Sequence, residues 1–137
     1  MEERFQAQGH EHVAATHAST LEVTTDEFLT PAGDCIVGVG ADRAPSEVSA
    51  AFKAACQDAT ATITLTLSAA GIEDSVQGRG DPGLTFESDR SLVARTSTYI
   101  DDRTVLVDAD GAAADLDRAL ITALADGASL EATLTVE

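Results

Sequence analysis

The most regular alternation in the chain runs from Thr62 to Leu67, where Ile63, Leu65 and Leu67 alternate with three threonines. A period of two puts the aliphatic side chains on one face of a strand and the hydroxyls on the other, so this strand is half buried and half wet. Ala132, Leu134 and Val136 repeat the pattern and predict a matching strand late in the chain. Shorter alternations predict strands over 13–23, 34–39, 92–96 and 103–107, with a brief one around Val76. Val13, Ala15, Leu21 and Val23 would share one face of the first of these. Two stripes have helical spacing instead: Val48, Phe52 and Cys56, then Leu116, Leu120 and Leu124. Positions i, i+4 and i+8 line one side of a helix. Ser46 is the expected N-cap of the first helix, and the second is expected over 112–125, stopped by Gly127.

The elements recur in order. A shift of 71 residues superposes Glu2, Phe5, Gln6 and Gly9 on Glu73, Val76, Gln77 and Gly80, and Leu21, Thr25, Phe28 and Leu29 on Leu92, Thr96, Tyr99 and Ile100. A shift of 68 then brings Asp34, Val37, Val39, Ala41 and Asp42 onto Asp102, Val105, Val107, Ala109 and Asp110. Two passages of one plan predict a β-rich α+β fold, one domain over 1–137 with pseudo-repeats 2–69 and 73–137. The β-β-α-β-type halves would share one sheet or a closed barrel, because a half alone is too small for a stable core and closure removes exposed edges. Gly33-Asp34 before an apolar strand resembles the turn of the cradle-loop barrels, double-psi barrels included. The second half carries Asp101-Asp102 there.

Charge narrows the setting. There are 24 acidic and 8 basic residues, a formal net charge of -16, and Lys53 is the single lysine. The acids are spread along the whole chain, which is the composition expected of a surface adapted to molar salt, where screening over about 3 Å relieves self-repulsion. The first residues are polar and lack the apolar core of a secretory signal, and no apolar run reaches the roughly 18 residues of a membrane helix. Cys35 and Cys56 have no metal or redox spacing and are expected to be reduced core thiols. A cytoplasmic protein without a membrane partner follows from these features.

Three stretches are distinctive: Gly9-His10-Glu11-His12-Val13-Ala14-Ala15-Thr16-His17, Leu29-Thr30-Pro31-Ala32-Gly33-Asp34-Cys35-Ile36-Val37-Gly38-Val39, and Asp101-Asp102-Arg103-Thr104. With Ala109-Asp110 and Asp115-Leu116-Asp117-Arg118, they give the chain a pattern that resembles an archaeal family catalogued as domain of unknown function 371. The acidic composition would suit a haloarchaeal member. The family pattern has asparagine in place of His12, which leaves His10 and His17 as the matching histidines. The resemblance implies no particular activity.

The three histidines lie close together in sequence, and imidazole suits metal ligation and proton transfer near neutrality. On a straight strand His10 and His12 share a face and His17 points away, so a shared metal would need a bend or carboxylates such as Glu22, Asp34 or Asp102. His10 and His17 are the metal candidates. Asp34 with Asp102, and Asp42 with Asp110, would face one another across a dyad, although aspartate in turns and before helices also caps backbone amides. Gln77-Gly78-Arg79-Gly80-Asp81-Pro82-Gly83 could cradle an anion with its glycine amides and one guanidinium. The leading expectation is a binding domain for a small ligand or nucleic acid, with its site around His10, His17, Arg79 and Gly80. Its motivation is that Gly9-His10 and Gly80-Asp81 coincide under the 71-residue shift. The alternatives are a hydrolase or nuclease using His10 and His17 with a carboxylate or metal, and a protein-association subunit. Neither a cofactor nor an oligomeric state is legible in the sequence.

Overall fold

A computed structural model describes all residues, 1–137. The first series of elements is β1 (Glu2–Gln8), β2 (Thr20–Thr24), β3 (Ile36–Gly38), a 3₁₀ turn at Pro45–Glu47, α1 (Ala50–Cys56) and β4 (Thr62–Ala69). The second is β5 (Ile72–Arg79), β6 (Ser91–Arg95), β7 (Thr104–Leu106), a 3₁₀ turn at Ala113–Asp115, α2 (Arg118–Ala125) and β8 (Ser129–Val136). The fold is α+β and β-rich, with two four-stranded sheets. Sheet I has the order β1-β8-β4-β5 and is antiparallel throughout. Sheet II has the order β3-β2-β6-β7, with an antiparallel centre flanked by two parallel pairs.

Alternation dictates how sheet I packs. Ile63, Leu65 and Leu67 lie directly opposite Val136, Leu134 and Ala132 and are fully buried, while the threonines face outward. Leu21, Val23, Leu92 and Ala94 of sheet II close the other side of the same core. The stripes Val48-Phe52-Cys56 and Leu116-Leu120-Leu124 are buried against it. Phe52 meets Phe86 edge-on, with ring centroids 6.2 Å apart. Burying side chains of this size stabilises by about 1.5–3 kcal/mol each.

The sheets are two, not one shared sheet, and they do not close into a barrel of the cradle-loop or double-psi kind. A single backbone bridge joins them at each side, Gln8 to Val39 and Arg79 to Val107. Pairing stops there because the next residue turns inward: Gly9 donates its amide to Ala128 and Gly80 donates to Ala61. A β-carbon at Gly9 would collide with the Leu124 carbonyl of α2, and one at Gly80 with the Cys56 carbonyl of α1. Glycine is required there because helix backbone occupies the space of a side chain.

Other local expectations also shift. The strand expected over 13–23 begins only at Thr20, since residues 10–19 form no regular element and Ala15 has a left-handed backbone (φ 49°). Both helices are shorter than expected. Ser49 rather than Ser46 caps α1 by accepting from Phe52, and Asp117 caps α2 by accepting from Ala119. The β1 strand leaves little periodic trace in the sequence, because only Phe5 and Ala7 in it are buried.

Candidate functional site

The two corners where sheet I meets sheet II share most of their backbone hydrogen bonds and differ in their side chains; the Asp81 amide donates to Cys56, while the His10 amide donates to nothing. At the corner after β5, Arg79 Nε donates to Asp108 Oδ2 at 2.6 Å, and its Nη1 donates to Asp81 Oδ2 at 3.2 Å and to the Gly80 carbonyl at 2.9 Å. Two carboxylates and a carbonyl therefore surround one guanidinium. Hydrogen bonding to Asp108, then to Asp81, raises the arginine pKa above its usual value. The amides of this loop are also engaged: Gly80 with Ala61, Asp81 with Cys56 and Gly83 with the Asp81 side chain. No donor is left over for an anion on Gly80, Asp81 or Gly83.

At the corner after β1, Gln8 stands at the place of Arg79, His10 at that of Asp81, and Gly40 at that of Asp108. The backbone correspondence is close. Gly40 donates to Asp26 as Asp108 donates to Ser97, Ala41 to Thr24 as Ala109 to Arg95, and both positions have a left-handed φ, 60° and 51°. Here the ion pairs are missing, and a cleft of about 330 Å³ opens between Gln8, Gly9, His10, Glu27, Val39 and Gly40. A β-carbon on Gly40 would lie 4.0 Å from Glu27 Cγ, so Glu27 brings its chain to the space that the Asp108 side chain leaves from at the other corner. The Glu27 carboxylate has no hydrogen-bond or ion-pair partner, and the Gly9 carbonyl accepts nothing.

The histidines hold turns. His10 Nδ1 accepts the His12 amide at 3.0 Å, as Asp81 Oδ1 accepts that of Gly83 at 2.8 Å. His17 Nδ1 accepts the amides of Ser19 (3.3 Å) and Thr20 (3.1 Å), as Ser88 Oγ accepts those of Arg90 (3.1 Å) and Ser91 (3.2 Å). An accepting Nδ1 puts the proton of the neutral ring on Nε2. No hydrogen bond joins His10 to His17, and no group of three or more His, Cys, Asp or Glu side chains is arranged to hold a metal ion. Asp34 and Asp102 meet these turns through their carbonyls, which accept His17 and Ser88 amides at 3.2 and 3.1 Å. Asp42 and Asp110 bind the Gln6 and Gln77 amides, each at 2.9 Å.

The structure does not bring Arg79 and Gly80 to His10. β1 and β5 are opposite edges of sheet I and run in opposite directions, so their ends lie at diagonal corners. Three strand spacings and a strand length put these corners roughly 25–30 Å apart.

Sheet II carries a second charged cluster. Arg95, 8 % exposed, donates to Thr104 Oγ1 at 2.9 Å and Asp101 at 3.0 Å and lies over the Tyr99 ring, 4.9 Å from its centroid. Burial alone would raise the Asp101 pKa. Hydrogen bonds from Arg103 and the charges of Arg103 and Arg95 outweigh it and hold the carboxyl down at about 2. Arg103 also approaches Glu22, and Arg90 pairs with Asp26 at 2.6 Å. Burial, then the Glu22 charge, pushes the Cys35 thiol up to about 11, and burial pushes Cys56 to about 12, so neither is a thiolate near neutrality. Both cysteines are free. Phe28 and Tyr99, matched under the 71-residue shift, are the exposed aromatic side chains, at 65 % and 62 %.

Glu27 and Gly40 were not singled out from the sequence. Their signal was present in the same alignment that superposed the halves: a shift of 71 sets Gln8 against Arg79, and one of 68 sets Gly40 against Asp108. Reading where the halves differ, rather than where they agree, finds the cleft.

No helix is long and apolar enough to cross a membrane. Along the sequence, an uncharacterized protein of Methanocaldococcus jannaschii is 36 % identical over 130 residues, covering 95 % of this chain and 96 % of that relative. A family model described as a domain of unknown function matches residues 5–137. The chain therefore belongs to the family of domain of unknown function 371, with a relative in an archaeon.

Proposed function

We propose that this protein is a binding domain whose small polar ligand enters the cleft between Gln8, His10, Glu27 and Gly40. The observation that carries the reading is the difference between two corners of matching backbone. One is filled by the protein's own Arg79, Asp81 and Asp108, and the other is left open with an unpaired carboxylate. Concave sites with a few convergent polar groups are where small ligands bind. The matched hydrogen bonds support descent of 2–69 and 73–137 from one duplicated unit, after which one corner kept a structural ion pair and the other took up binding. A cytoplasmic location in a salt-rich cell fits the free thiols and the charge of -16.

Nucleic acid is the weaker occupant. Each of the seven arginines is already engaged: Arg4, Arg43, Arg79, Arg90, Arg95 and Arg103 with carboxylates, and Arg118 with backbone carbonyls. Phosphate contacts need unpaired cations. A hydrolytic reading lacks a histidine hydrogen-bonded to a carboxylate.

A fragment screen read by amide NMR in about 2 M KCl tests the proposal. Shift changes are expected at Gln8–His10, Glu27 and Val39–Gly40, with none at Arg79–Asp81 and Asp108. Binders that perturb only other surfaces would overturn it.

A further inference from the structure

The filled corner shows what the open one lacks. Around Arg79, three acceptors converge on a planar cation: a carboxylate from Asp108, a carboxylate from Asp81 and the Gly80 carbonyl. At the open corner two acceptors line the cleft, of which the Gly9 carbonyl is at a matched position and Glu27 is not. Glu27 reaches the space beside Gly40, and the Gly9 carbonyl matches that of Gly80. The cation itself is gone, because Gln8 replaces Arg79 and its amide oxygen is drawn toward Ser129 Oγ at 3.4 Å. We infer that the ligand of this cleft carries a guanidinium group, which takes the place that the Arg79 guanidinium occupies at the matched corner. This rests on the cleft being a ligand site, as proposed above.

The chemistry follows from the acceptors. A carboxylate accepts two parallel N–H bonds from a guanidinium, and a backbone carbonyl beside it takes a third donor. An anionic ligand would meet an unpaired carboxylate in a protein of net charge -16 and is disfavoured. His10, whose Nδ1 accepts the His12 amide, presents Nε2 as a donor at the rim for an acceptor elsewhere on the ligand. The site therefore selects a small molecule with a guanidinium at one end and an acceptor at the other. The filled corner also gives the means to abolish binding. Gln8→Arg with Gly40→Asp rebuilds the ion pair, and aspartate already tolerates the left-handed backbone at the matched Asp108.

Titration calorimetry and amide NMR with butylguanidine, beside its neutral isostere butylurea, test the inference on the full chain. Butylguanidine is expected to perturb Gln8–His10 and Gly40 and butylurea to bind at least about tenfold more weakly, the loss associated with a charged hydrogen-bond partner. Glu27→Gln, a change at an exposed side chain, should weaken butylguanidine by a similar factor, and Gln8→Arg/Gly40→Asp should abolish its binding. Butylguanidine binding that survives Glu27→Gln undiminished would overturn the inference. Failure of butylguanidine while neutral or anionic fragments occupy the cleft would overturn it and leave the ligand site standing. An unresponsive cleft with every probe would remove both.

Discussion

His17 and Ser88 occupy matched places and do the same work with different atoms. Each side chain accepts two backbone amides at the entry to a central strand of sheet II, β2 or β6. Each carbonyl accepts an amide from the 3₁₀ turn of the other half, Ala114 or Ser46, at 3.0 Å. His17 is thus explained by the backbone around it, without a ligand. His17→Ser should change unfolding free energy by less than about 0.5 kcal/mol, while His17→Ala, which leaves both amides without a side-chain partner, should cost about 1–2 kcal/mol. Urea denaturation of the three proteins measures this directly, and equal stability of the alanine and wild-type proteins would refute the turn-holding role. Phe86 illustrates the opposite balance. Its left-handed backbone (φ 51°) is strained for an aromatic residue, and the strain is offset by complete burial of the ring against Phe52.

At the scale of elements, Asp42 and Asp110 explain how sheet I ends. Each sits beside an outer strand, accepts its Gln6 or Gln77 amide and returns its own amide to the same residue's carbonyl. An exposed edge would otherwise offer these groups to another chain. Asp42→Ala and Asp110→Ala should each cost about 1 kcal/mol, add in the double mutant because the edges are far apart, and raise self-association measurable by light scattering. A double mutant as stable as the wild type, with unchanged light scattering, would remove the edge-covering role. The strands and helices were legible where periodicity is strong, as in Ile63–Leu67 and the two helical stripes. They were not legible where side-chain-to-backbone hydrogen bonds decide, as in residues 10–19 and the breaks at Val48 and Leu116, since those bonds leave no periodic trace. The same limit applied to the site. His10 stood out by residue type, but Glu27 and Gly40 acquire meaning only beside Asp108 and Arg79, and the distance between the corners depends on strand direction.

For the whole molecule, the surface charge predicts how stability depends on salt. With 24 acids and 8 bases, most carboxylates have no cationic partner, and their mutual repulsion is long-ranged in dilute salt. Raising KCl from about 0.1 M to about 2 M shortens screening to a few ångström and should raise the melting temperature by several degrees. A melting temperature independent of salt, followed by circular dichroism, would remove the high-salt reading. The order of strands has a consequence for how the chain reaches this state. β8 lies between β1 and β4, and the β1 strand finds no hydrogen-bonded strand partner other than β8 in sheet I. The β1 residues therefore lack their strand partner until residues 129–136 have been made. Pairings this distant in sequence make for slow folding, so sheet I is completed only after its last strand is available, and the core it covers closes late.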